Sequence, residues 1–205
     1  MRVQVTVWSD YCCPWCYLAL DRLDLLDELG LAVEVLPFEL HPDTPARGRR
    51  HGPGGRTAAA FARVAAEAAE AGLPFAAPSA TPNTAMVLGA AEAVRRTEPA
   101  AFPGLHRRLF RARFVEGGDL GDVAVVERLV AEAGADPAAV RAWRREGRAG
   151  AAVAEARAAA VDAGVTATPA FLFDPGLLVV GAQPREALRR WVARMCSRGQ
   201  PAREL

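Results

Sequence analysis

The stretch "SDYCCPWCYLAL", residues 9–20, sets Cys12 beside Cys13 and places Cys16 three residues further on, with Pro14 and Trp15 enclosed between them. Proline is welcome at the first position of a helix, because its missing N–H would have no partner there. Pro14 therefore marks the first helical residue and Cys13 the N-cap. A sulfur at that end meets free backbone N–H groups and the positive end of the helix dipole, and both favour thiolate over thiol. Cys16 falls one turn on and on the same face, within reach of a disulfide to Cys13. On this reading Cys13 attacks and Cys16 resolves. Cys12, outside the helix, reads as a small buried residue.

Upstream, "RVQVTVW" (2–8) alternates apolar and polar residues and predicts a strand running into the cysteines. Downstream, Leu18, Leu23, Leu25, Leu26 and Leu29 predict a helix stopped at Gly30, and "LAVEVLPFEL" (31–40) predicts a second strand. The run "HPDTPARGRRHGPGGR" (41–56) reads as a flexible, solvated loop. From Thr57 to Ala163 the pattern is helical, with Asp122 and Asp136 as N-caps, Pro137 at a first helical position and Gly134 as a stop. The Ala-rich stretches 57–71 and 149–163 share composition but no motif at a fixed period, so they are not read as repeats. Beyond Gly164, "TPAFLFD" and "GLLVVGA" predict a hairpin about Pro175 and Gly176, and residues 184–195 a last helix. Cys196 reads as a plain core or surface thiol, and "SRGQPAREL" (197–205) as a frayed end.

Strand, helix, strand, a long helical block, hairpin, helix is the order of an α/β thioredoxin-like fold with a large inserted all-helical domain. Residues 1–45 and 164–205 would form the discontinuous thioredoxin-like domain. Residues 57–163 would form the insert, entered through a flexible loop at 46–56.

A chain of 205 residues buries a core without help from disulfides. Its 25 basic residues, all arginine, against 24 acidic ones leave a net charge of +1, which asks for neither nucleic acid nor an anionic membrane. The N-terminus reaches Asp10 before an apolar core of a signal peptide could form, and no apolar run matches a membrane span. A cytoplasmic location is therefore expected, where a close cysteine pair is catalytic, redox-sensing or metal-binding rather than structural. Zinc needs four ligands, and without a second pair the only candidate set is Cys12, Cys13 and Cys16 with one of His41, His51 or His106. A second site lies at Thr168-Pro169, just before "AFLF". Proline is tolerated at the start of a strand; a cis bond here would instead turn the Thr168 backbone toward the cysteines and leave an edge for a substrate. The residues leave the isomer open.

Read together and in order, "SDYCCPWCYLAL", "PFELHPDTP" (37–45), "AGLPF" (71–75), "TPNTAMVL" (81–88), "LFRARFVEGGDLGD" (109–122), "GVTATPAFLF" (164–173) and "VVGAQPREAL" (179–188) resemble the DsbA-type thiol–disulfide oxidoreductases, specifically their cytoplasmic FrnE-like branch. The resemblance runs nearly end to end. It implies a thioredoxin fold with a helical insert, Cys13 as nucleophile, Cys16 as resolving cysteine and a cis Pro169. It also implies a groove bordered by 38–42, 82–84 and 114–118, with Pro14, Trp15, Thr168, Pro169, His41 and Asn83 touching the substrate. Two departures stand out: Cys12 occupies a position where the family commonly has an aliphatic residue, and His41 one where it has Asn.

The implied activity is disulfide exchange with protein or low-molecular-weight thiols and disulfides, with no metal or organic cofactor required and glutathione as a possible thiol co-substrate. Monomer and homodimer are both compatible with it. The same superfamily holds the glutathione-dependent 2-hydroxychromene-2-carboxylate isomerases and kappa-class glutathione transferases, in which "TPNT" would not look out of place. Those enzymes typically keep a serine where this chain has Cys13. They also carry an Asp in the turn that reads Gly181-Ala182-Gln183 here. A glutathione-dependent isomerase or transferase, and a non-catalytic redox-sensing binding protein, are the alternatives.

Overall fold

The computed structural model describes residues 3–52 and 54–198. Its main sheet is built on β1 (Gln4–Ser9), whose Val5 and Val7 are buried. β2 (Ala32–Pro37) runs parallel to β1, with Val5 opposite Val33 and Val7 opposite Val35. Parallel neighbours need a crossover, and helix α1 (Pro14–Glu28) supplies it. At the far end of the chain β5 (Ala170–Phe173) pairs antiparallel with the other edge of β1, and β6 (Leu177–Val180) with β5, giving the order β2-β1-β5-β6. The loop between β5 and β6 spans 174–176; Gly176 has φ +132°, a conformation open to glycine.

Strand alternation sends Val5, Val7, Phe171 and Phe173 to one face of this sheet. There they pack with Leu25 and Leu26 of α1 and with Leu188 and Val192 of α8 (Arg185–Arg198). Trp8 and Ala170 belong to the opposite face, where Phe38, Ala160 and Val165 cover them.

The remaining helices lie in sequence between β2 and β5. They are α2 (Gly55–Glu70), α3 (Ala85–Thr97), α4 (Phe102–Phe114), α5 (Val123–Glu132), α6 (Pro137–Arg145) and α7 (Arg148–Asp162). Asp122 and Asp136 cap α5 and α6 by accepting from the N–H of Ala124 and Ala138, which satisfies donors that the helix itself cannot. α3 lies at the centre of this block, buried along Val87–Val94, and α7 crosses it at Gly89. A Cβ on Gly89 would stand 2.9 Å from the Ala149 Cβ, so only the missing side chain permits this approach. The largest apolar cluster joins Leu88, Phe110 and Leu129 of these helices to Tyr11, Cys13, Cys16 and Tyr17. The helical block and the cysteine segment thus share one core.

The structure differs from the sequence expectation in the stretch 46–56. Arg49–Arg50 form a short strand, β3, paired antiparallel with β4 (Ala80–Thr81), and α2 already begins at Gly55. The physical reason is His51, whose backbone N–H donates to Ser79 O and whose ring nitrogens meet Pro78 O at 3.0 Å and Thr81 Oγ1 at 2.8 Å. The Cys196 side chain and the end beyond residue 198 lie outside what is described.

Candidate active site

β1 ends at Ser9, and the chain turns through a bond from Cys13 N–H to Asp10 O (3.0 Å) before entering α1. Cys13 has extended backbone angles (φ −86°, ψ 113°) and Pro14 follows as the first helical residue; the Cys13 thiol caps no backbone N–H. Cys12, Cys13 and Cys16 are buried and carry free thiols. The Cys13 thiol donates to the carbonyl of Thr168 at 3.3 Å, across 155 residues of sequence. This contact brings the start of α1 to the segment before β5, where the Thr168–Pro169 peptide bond is cis.

The two thiols of the pair are polarised in opposite directions. Cys13 is lowered from the ordinary cysteine value, first because Cys16 donates a hydrogen bond to its sulfur. Burial opposes this, and the Thr168 side chain, whose hydroxyl is buried and has no hydrogen-bond partner among the described residues, adds to the lowering. Cys16 is pushed well up, by burial and then by holding the proton it shares with Cys13. Of the two thiols, Cys13 at the helix end is therefore the one that gives up its proton more readily, and Cys16 one turn inside the one that keeps it. Cys12 is also pushed up, mainly by burial, which keeps it a thiol.

Asp10 was not singled out in the sequence, yet it ties the site together. Wholly buried, its Oδ1 accepts from Cys12 N–H (3.1 Å) and its Oδ2 from Leu40 N–H (2.8 Å) and the Thr84 hydroxyl (3.2 Å). One carboxylate thereby joins the cysteine segment, the chain after β2 and the start of α3. Burial raises its pKa against these three bonds. Its place beside the cysteines in "SDYCC" was visible; its burial was not.

The other expected residues are placed unevenly. Trp15 is partly buried, with the Arg63 guanidinium over its ring at 5.2 Å, and Pro14 lies partly exposed beside it. The Asn83 amide is spent on the backbone: it donates to Thr44 O (2.7 Å) and accepts from Ala85 N–H (3.1 Å). His41 is exposed and its side chain makes no hydrogen bond among the described residues. Arg113, also unforeseen, is buried, donates to Ala80 O and lies near enough to Cys12 for its charge to act on that thiol. Among the described residues no three His, Cys, Asp or Glu side chains stand together as a metal-ligand set. The ring nitrogens of His51, and Nδ1 of His106, are already engaged by other groups.

The family described as DSBA-like thioredoxin domain matches residues 4–193. No curated protein matches at the level of sequence. Among solved structures, a probable DsbA oxidoreductase from Streptomyces coelicolor is similar at 24% identity and a TM-score of 0.83, over 100% of this chain and 94% of that one. A 2-hydroxychromene-2-carboxylate isomerase is similar at 19% identity and 0.77, over 95% and 97%. The cytosolic disulfide reductase DsbM from Pseudomonas aeruginosa is similar at 23% identity and 0.67, over 95% and 98%. At these identities the solved structures speak for the fold alone, whereas the family match spans nearly every described residue from β1 into α8, and on that ground the chain belongs to the DsbA-like thioredoxin domain family.

Proposed function

We propose that the protein is a thiol–disulfide oxidoreductase working through Cys13 and Cys16 on protein or small-thiol substrates. The observation that carries this reading is the placement of Cys13 at the N-terminus of α1, with Cys16 one turn inside and the Cys13 sulfur 3.3 Å from the Thr168 carbonyl; the opposed shifts of the two thiols support it. In the reducing direction the Cys13 thiolate attacks one sulfur of a substrate disulfide. An S–S bond forms between Cys13 and substrate, and the substrate's own S–S bond breaks to release one thiolate. Cys16 then loses its proton and attacks the Cys13 sulfur. The second substrate thiolate leaves, the protein holds a Cys13–Cys16 disulfide, and two electrons have passed to the substrate. The oxidising direction is the same path reversed.

Thr168 and Pro169 supply the edge beside Cys13, while Pro14 and Trp15 border it from α1. Asn83 and the exposed His41 border the substrate groove in this reading. Cys12 stays a spectator thiol. No metal or organic cofactor enters this scheme. A structure of DsbM with glutathione, 21% identical to this chain, supports glutathione as a thiol partner, and its description as cytosolic supports a cytoplasmic location. The isomerase neighbour supports a second reading, in which glutathione is activated at the same helix end for isomerisation.

Single cysteine variants test the proposal. Cys16→Ser, incubated with a peptide disulfide, is expected to accumulate a mixed disulfide on Cys13, visible as added mass. Cys13→Ser is expected to form none and to lose exchange activity. An equal yield of adduct on both variants, or exchange that survives Cys13→Ser, would overturn the assignment.

A further inference from the structure

A groove of about 530 Å³ opens between α1 and β2 on one side and the end of α3 and start of α4 on the other. Its size falls within the range of about 300–1,000 Å³ typical of small-molecule sites. Leu20, Leu23, Val33, Val35 and Phe102 give it an apolar lining. Two of its carboxylates are already neutralised: Glu34 by Arg95 (2.8 Å) and Asp24 by Arg107. Asp27, also lining the groove, has no ion pair among the described residues, so the groove presents one uncompensated negative charge.

His106 lines the same groove and is 4% exposed. Its Nδ1 meets the Tyr11 hydroxyl at 2.9 Å, and that hydroxyl has no other hydrogen-bond partner. The hydroxyl proton therefore goes to Nδ1, which in a neutral ring leaves the N–H on Nε2. No described residue accepts from Nε2, and this atom is not among the fully buried polar atoms left without a partner, so the N–H keeps contact with solvent where His106 lines the groove. A void of about 10 Å³, lined in part by Val35, Phe102 and His106, adjoins the groove and offers room for about one water.

We propose that this groove is a binding site for a small primary amine carrying an apolar ring and a carbonyl oxygen. The ammonium faces Asp27, the ring lies on Leu23, Val33 and Phe102, and the oxygen accepts from His106 Nε2. The site is separate from the cysteine pair, although Tyr11, which holds the ring of His106, precedes Cys12 directly.

The probe is L-phenylalaninamide, which has all three features, with N-acetyl-L-phenylalaninamide as the form lacking the ammonium. Titrated into protein with 15N-labelled histidine, the first is expected to shift the ring signals of His106 saturably and to leave His41 and His51 in place. Asp27→Asn, an exposed substitution that spares the core, and acetylation of the probe are each expected to weaken binding about two- to five-fold, the worth of a partly exposed ion pair. Two results would overturn the proposal. One is a His106 signal unmoved at about 20 mM probe, far above the millimolar range of weak ligands, which would leave Nε2 to a water alone. The other is equal affinity of both probes for wild type and Asp27→Asn. Neither readout involves the cysteines, so the result stands apart from the proposed redox activity.

Discussion

Thr168→Val isolates what the hydroxyl beside Cys13 contributes. Valine keeps the shape of threonine and leaves untouched the backbone carbonyl that meets the Cys13 sulfur at 3.3 Å. What disappears is a buried hydroxyl that has no hydrogen-bond partner among the described residues and is therefore free to donate to a Cys13 thiolate. A hydrogen bond to a charged group is worth about 1.5–3 kcal/mol. At about 1.4 kcal/mol per pKa unit, the Cys13 transition should rise by about one to two units. Below that transition the thiolate fraction falls about 10- to 100-fold. A more basic sulfur is also a better nucleophile, with a Brønsted slope of about 0.4–0.5, so the rate of attack falls only about three- to sixteen-fold. Thiolate absorbance against pH, with Cys13→Ser as the blank, reads the first quantity, and alkylation rates below the transition read the second. An unmoved transition in a folded Thr168→Val protein would refute the reasoning, because it would show that the hydroxyl does not reach the sulfur.

Two further outcomes concern the framework around the site. Gly89→Ala places a methyl 2.9 Å from the Ala149 Cβ, so α3 and α7 must part, and a loss of about 1–3 kcal/mol is expected in urea denaturation; unchanged stability would show that the helices yield freely. Burial, with a smaller contribution from the charge of Arg107, pushes His106 down to about 3. Between that value and the unfolded one near 6.5 the unfolded chain binds more protons. The stability from this group is therefore complete above about pH 6.5 and is lost as pH falls toward 3, by up to about 5 kcal/mol. Denaturation curves across this window should be flatter in His106→Gln than in wild type, and equal slopes would contradict the assignment.

What the sequence alone determined about this protein is what neighbours along the chain decide. Pro14 after Cys13 starts α1 because only a first-turn position spares the missing N–H, and that local rule already put a sulfur at a helix end. Asp122 and Asp136 cap their helices through bonds two residues away, and the turn at 174–176 follows from Pro175 and Gly176. The tertiary structure decided the partners. Thr168 meets Cys13 from 155 residues away, and Tyr11 meets His106 from 95. Asp10 is surrounded by Leu40 and Thr84 from two distant segments, which turns a surface-type residue into the buried tie of the site. Asn83 depends on the path of the chain in the same way: the resemblance implies substrate contact for it, and the fold brings its amide to the Thr44 carbonyl, 39 residues away. Composition and periodicity report which residues face inward, whereas which two inward groups meet depends on the path of the whole chain, and the polarisation of Cys13 is set by those meetings as much as by its helix.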